Sequence, residues 1–130
     1  MDKKLKYSIP SFDELVNKTT SEIVATFKGS GLKFPKDKYR SHQKEKEGET
    51  NCLYVMGSNF TLCYMDDYTF SVHKKEGRFD NLELHNPVGP AFIVFSQFDS
   101  IFFEYYYIDN TELGENDFMK YKAKQRIKSL

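Results

Sequence analysis

Apolar positions along the chain change their period twice, and the expected elements follow from those changes. Between 11 and 28 they fall at Phe12, Leu15, Val16, Ile23, Val24 and Phe27, offsets that share one face of a helix. Ser11 with Glu14 three residues on makes a capping box directly after Pro10. Ser21 offers a second cap beyond the β-branched Thr19-Thr20 pair, and Gly29 a left-handed stop. The spacing predicts a helix over about 11–28. From 29 to 50 the pattern collapses. Lys33, Lys36, Lys38, Arg40, Lys44, Glu45, Lys46 and Glu47 leave Leu32, Phe34 and Tyr39 to pack, which reads as a long surface loop.

Period two takes over from 51 to 109. Residues 52–56 and 60–65 read as a hairpin whose turn, Gly57-Ser58-Asn59, supplies positive φ through Gly and Asn. Residues 68–73 alternate, with Tyr68, Phe70 and Val72 on one face and His73 on the other, expected exposed beside Lys74 and Lys75. A strand over 78–85 follows a turn at 74–77. The Pro/Gly knot at 86–90 then leads into two aromatic strands, 91–95 and 102–109. The last segment reads as a helix over about 115–128, with Phe118, Met119, Tyr121 and Ile127 as its apolar contacts. A charged lead-in adds an edge strand at 5–9. The expected fold is α+β: an antiparallel sheet of five to seven strands, a meander of hairpins, with an N-terminal and a C-terminal helix in a single domain over 1–130.

Composition narrows the function classes. The chain has 19 basic and 19 acidic residues, so no global charge points to nucleic acid or to a polyacidic tail. Burial rests on 12 Phe and 9 Tyr without Trp. Cys52 and Cys63 fit no zinc pattern and read as packed thiols on neighbouring strands, close enough for an oxidised pair to be an alternative. No apolar segment follows the charges of Met1-Asp2-Lys3-Lys4-Leu5-Lys6, and no apolar run nears the ~20 residues that span a bilayer. A cytoplasmic chain without cofactor or metal is the expectation. His42, His73 and His85 are not spaced to chelate together, and no nucleophile elbow or phosphate loop is present, so no enzyme activity is expected. Asp66-Asp67 reads as turn chemistry ahead of a cation site.

One stretch carries a family resemblance. His85-Asn86-Pro87-Val88-Gly89-Pro90-Ala91-Phe92-Ile93, then Tyr106-Tyr107-Ile108-Asp109-Asn110-Thr111-Glu112-Leu113, resembles a motif of phage and bacterial small proteins. There a His-x-x-x-Gly-Pro-Ala-x-Ile strand precedes an aromatic strand, a tight turn and an acidic helix start, loosely like the membrane-occupation-and-recognition type of β-repeat. Asn110 stands where that pattern has Gly, and Val88 where it often has Asp. The resemblance implies a hairpin architecture and a phage or mobile-element origin. By the same association it implies a small protein made to disable a host factor, in the cytoplasm of the host cell.

Charge is segregated along the C-terminal third. Asp99, Glu104, Asp109, Glu112, Glu115 and Asp117 form an all-acid zone, and Lys120, Lys122, Lys124, Arg126 and Lys128 an all-basic one. Three readings fit: complementarity to the helix dipole, a docking surface for a basic protein, and a phosphate-tracking stripe. The expected activity is non-enzymatic binding that occludes a host protein, for instance in a defence system. Its candidate contact residues are Glu104, Tyr105, Tyr107, Asp109 and Glu112, where Tyr gives stiff, amphipathic contact area. The same aromatic strand predicts self-association into a homodimer. The alternative is a nucleic-acid-associated module using Lys36, Lys38, Arg40, Lys120, Lys124 and Lys128.

Overall fold

The computed structural model describes residues 11–65, 69–74, 83–95 and 102–128, and the expected edge strand at 5–9, the Asp66-Asp67 turn and most of the 78–85 strand lie outside the described residues. Among the described residues, eight antiparallel strands and three helices make an α+β fold in meander order. The strands are β1 (Ser41–Glu47), β2 (Thr50–Met56), β3 (Phe60–Met65), β4 (Thr69–Lys74), β5 (Glu83–Leu84), β6 (Phe92–Phe95), β7 (Phe102–Ile108) and β8 (Thr111–Leu113). The helices are α1 (Phe12–Leu15), α2 (Thr20–Gly29) and α3 (Glu115–Lys128).

The expected N-terminal helix is two helices. Ser11 does cap the first, but Thr19 opens the second with a full capping box, its side chain on the Glu22 N–H and Glu22 back on the Thr19 N–H. A cap ends one helix as surely as it starts the next, because its own backbone is extended. Gly29 is the last helical residue, and Gly31, at φ 96, takes the left-handed position assigned to Gly29. Phe12, Leu15, Ile23 and Phe27 point from these helices onto Leu53, Val55, Leu62, Tyr64, Phe70, Val72 and Ile93 of the sheet. Phe27 meets Phe70 edge-on at 5.3 Å between centroids and Tyr64 at 6.0 Å, contacts worth roughly 0.5–1.5 kcal/mol each beyond burial.

The expected 29–50 loop is instead a packed strap over 31–40 and a full edge strand. β1 pairs with β2 over its whole length, from Ser41 opposite Met56 to Glu47 opposite Thr50, with Gly48 at φ 62 in the turn. Its residues, SHQKEKE, carry no apolar signal because an edge strand is protected by charge rather than by burial. In the strap, Leu32, Phe34 and Pro35 are buried and Asp37 reaches the β2–β3 turn. There its carboxylate accepts from the Asn59 N–H at 2.7 Å and the Phe60 N–H at 2.9 Å. Partial burial raises the Asp37 pKa, but the N–H donors of Asn59, Lys38 and Phe60 outweigh it and hold the carboxyl below its ordinary range. Gly57 is needed for that approach and not for positive φ, since an added Cβ would collide with the Asp37 carboxylate and lie 3.0 Å from the Tyr39 ring. Replacing Asp37 with Ala is expected to cost about 1–2 kcal/mol, read as a shift in the urea midpoint with unchanged slope.

The Pro/Gly knot is an extrusion within one long strand. His85 N–H donates to the Val72 carbonyl at 3.0 Å and Val72 N–H to the Ala91 carbonyl at 2.8 Å, so β5 and β6 run end to end along β4. On the far side Asn86 N–H and Ala91 N–H donate to Tyr107 and Tyr105 of β7. The chain leaves the ladder at 86 and rejoins it at 91. The fully buried Asn86 side chain fills the extruded loop: its Nδ2 donates to the carbonyls of Pro90 (2.9 Å) and Lys33 (2.8 Å), and its Oδ1 accepts from Val88 N–H (3.1 Å). Knot and strap are thereby tied together.

The second face of the sheet is also buried at its centre. Cys52, Tyr54 and Cys63 form a small cluster with Met65. The register sets Cys52 opposite Met65 and Cys63 opposite Tyr54, so the cysteines are diagonal neighbours. Both are buried thiols, not joined in a disulfide. His73, expected exposed, lies on this face between Thr61 of β3 and Leu84 of β5 and is half-buried, with its Nδ1 shut off from water.

A candidate docking face on β7 and β8

Strand alternation splits the aromatic run of β7 between the two faces. Tyr106 turns to the helix side, where Phe118 of α3 meets it as a tilted ring pair at 4.5 Å between centroids. Phe118 is buried. Burial, with Glu104 and Glu115 nearby, raises the Tyr106 pKa. Phe103 and Tyr105 turn to the opposite face and stay 51% and 37% exposed, so no described element covers them. Across the ladder Phe103 faces Val94 and Tyr105 faces Phe92 of β6, whose ring lies 6.1 Å from that of Tyr105. Tyr107, half-buried, faces the exposed Glu112 of β8. The outer face is thus a strip of Phe103, Tyr105 and Tyr107 bordered by Val94 and Glu112. That is a compact, stiff, partly polar surface of the kind that anchors protein contacts.

The β7–β8 turn fixes one end of the strip. Asp109 and Asn110 take φ 50 and 64, the left-handed pair that a two-residue hairpin turn requires and that Asp and Asn tolerate best. Asn110 thus fills the place of the Gly in the resembling motif. Its N–H donates to the Leu84 carbonyl and its Oδ1 accepts from the Leu84 N–H, holding the turn against β5. His85 Nδ1 accepts from the Asp109 N–H at 3.0 Å while its ring stacks parallel on Phe60. Lys74 donates to the Asp109 carboxylate and holds its pKa below the usual range. His85 itself is pushed down by burial, which outweighs the pull of Asp109.

Of the five residues expected to form a protein-binding set, the fold gathers Tyr105, Tyr107 and Glu112 on the outer face. Asp109 stands at its end with its carboxylate engaged by Lys74. Glu104 lies on the opposite face. It points to the helix side and lines a cavity of about 130 Å3 with Lys33, Tyr106, Glu115, Phe118 and Lys122, where Lys122 lies 5.9 Å over the Phe118 ring. Proximity along the chain groups these acids, whereas a strand sorts them by parity. Phe103, outside the expected set, shares the parity of Tyr105.

The alternative, basic set is spread over two elements. Lys36, Lys38 and Arg40 are exposed on the strap, alternating with the inward Asp37 and Tyr39. Lys120 and Lys124 are exposed on α3, which Lys128 closes. Strap and helix meet at the small cavity through Lys33 and Lys122. His42, read as part of a charged loop, sits on β1 with Nδ1 hydrogen-bonded to the Thr20 hydroxyl at 2.6 Å. Among the described residues no group of three or more His, Cys, Asp or Glu could hold a metal ion, and no helix is long and apolar enough to cross a membrane. No family model matches the chain, and no curated protein or solved structure is significantly similar to it.

Proposed function

We propose that the chain is a protein-binding module that works without catalysis and engages a partner through the outer face of β7 and β8. The observation that carries this reading is the exposure of Phe103 and Tyr105 on the face that α3 leaves open. Large aromatic groups left in water on a rigid strand represent unrealised burial, at roughly 25 cal/mol per Å2 of apolar surface. Glu112 beside Tyr107 favours a partner with basic residues around an apolar anchor. The resemblance at residues 85–113 adds the wider proposal of a phage or mobile-element protein that occludes a host factor such as a component of a defence system.

The test is quantitative pull-down from host lysate with the full chain, comparing Phe103→Glu and Tyr105→Glu with a Lys36/Lys38/Arg40→Ser variant. A partner that binds the wild type and the strap variant is expected to lose roughly 30-fold or more in affinity to each face variant, the scale of an interface hot spot. The reverse pattern would overturn the reading. So would a nucleic-acid shift that weakens steeply with salt and disappears in Lys36/Lys38/Arg40→Ser or Lys120/Lys124/Lys128→Ala, which would favour the basic set.

A further inference from the structure

α3 carries a second open apolar surface. At about 100° per residue, Phe118, Tyr121 and Gln125 lie on the side toward the body, and Met119, Ala123 and Ile127 form a stripe on nearly the opposite side. The positions agree with the burial: Phe118 is buried, while Met119 is 50% and Ile127 69% exposed. Residues 123–127 are all exposed, so this half of the helix projects from the body. The stripe has cationic positions on both flanks, Lys120 and Lys124 on one and Lys122 and Arg126 on the other. An apolar stripe between two cationic rows fits an apolar surface with acidic neighbours.

The chain itself presents such a surface. The outer face offers Phe103, Tyr105 and Tyr107, with Glu112 opposite Tyr107. α3 cannot reach it within one molecule, because Phe118 fixes the helix to Tyr106 on the opposite face of β7. A second copy can deliver it. We propose that the projecting half of α3 of one copy docks on the outer β7–β8 face of another, and that the exchange is reciprocal. This rests on the reading of that face as a docking surface and names an occupant for it. The contact is two-fold: stripe on face and face on stripe, buried twice in one closed dimer. Balanced formal charge, 19 basic against 19 acidic, leaves no net repulsion between the copies, and Glu112 on the face meets the cationic flanks of the stripe with opposite sign. A foreign partner must then displace the dimer, so self-association sets the concentration of free docking face.

Sedimentation equilibrium of the full chain at low and high salt tests the proposal, with Ile127→Glu on the stripe and Phe103→Glu on the face. Both positions are exposed, and circular dichroism with a melting curve confirms that each variant folds. The expected result is a salt-weakened dimer whose dissociation constant rises about tenfold or more in either variant. An equimolar mixture of the two variants should recover part of the dimer, because one stripe and one face remain intact in the mixed pair. A monomer at every concentration overturns the inference, as does a dimer that survives Ile127→Glu. Cosedimentation of a monomeric chain with phosphatidylserine vesicles, lost in Ile127→Glu, overturns it in favour of a lipid surface. Foreign-protein capture that survives Phe103→Glu while the dimer does not would sink the earlier reading alone.

Discussion

Asn86→Ala is expected to destabilise the chain by about 3–5 kcal/mol, a large part of the 5–15 kcal/mol that holds a typical domain. The side chain is fully buried and satisfies three backbone groups, the carbonyls of Lys33 and Pro90 and the N–H of Val88. Alanine removes all three bonds and leaves the buried Pro90 carbonyl and the part-buried Lys33 carbonyl and Val88 N–H without this partner, at about 1–3 kcal/mol for a group that water does not reach and less for the other two. The bond to Lys33 also spans 53 residues, so the substitution loosens the strap from the knot as well as the knot itself. Melting should fall by on the order of 10 °C or more, followed by circular dichroism. Asn86→Asp separates this account from simple loss of packing. Aspartate keeps an acceptor for Val88 but turns a carboxylate oxygen toward two carbonyls, so it should be worse than alanine at neutral pH and recover as the pH is lowered. Stability of Asn86→Ala within 1 kcal/mol of wild type would show that the extruded loop holds itself.

The same residue shows where sequence pattern stops being informative. Pro87, Gly89 and Pro90 announced a break in the chain, and the strands on either side were legible from their aromatic density. That the break interrupts a single strand along β4 depends on His85 and Ala91 meeting across Val72, a non-local fact that no local period encodes. β1 is illegible for a different reason: an edge strand half out of the core has no apolar face to detect, and Ser41–Glu47 shows only polar and charged residues beside a Gly turn. The helix boundary at Thr19 was partly legible, since the Thr19-Thr20 pair marked the weak point, but the capping box with Glu22 was passed over for Ser21. In the candidate site, Tyr105 and Tyr107 could be read from the run itself. Glu104 falls on the other face from Tyr105 and Phe103 on the same one, a division that strand parity makes and that proximity along the chain does not. α3 over Glu115–Lys128 matches its expected bounds, with Glu115 and Asp117 in its first turn where the dipole favours acids.

His73 should make the chain lose stability in mild acid. Burial drives its pKa down from the ordinary 6.5 to about 4, so the folded chain keeps the ring neutral where the unfolded chain has already taken up a proton. Between these values the unfolded state binds more protons, and stability rises with pH; it is therefore fully present above about 6.5 and drains away as pH falls toward 4. The gap corresponds to about 3 kcal/mol at most, reduced by solvent screening of a half-buried ring. Among the described residues no carboxylate faces the ring: His73 lies opposite Thr61 on β3 and Leu84 on β5, and its own strand offers Ser71, whose hydroxyl hydrogen-bonds Nε2 at 2.8 Å. Nδ1 is buried with no hydrogen-bond partner among the described residues, so a proton there would be both charged and unpaired. His85, also lowered by burial, adds a smaller slope of the same sign, softened by Asp109. Urea midpoints of the wild type are thus expected to fall steadily from pH 7 to pH 4, and those of His73→Gln, which keeps an amide for Ser71 and carries no titrating group, to fall by less than half as much. Equal slopes in the two proteins would mean that the ring is protonated in the folded state, and that the sheet's second face admits water at β4. The neutral ring beside Cys63 and Ser71 would then have to be replaced by an open, hydrated groove, and the burial of that face by the sheet's own strands would no longer stand.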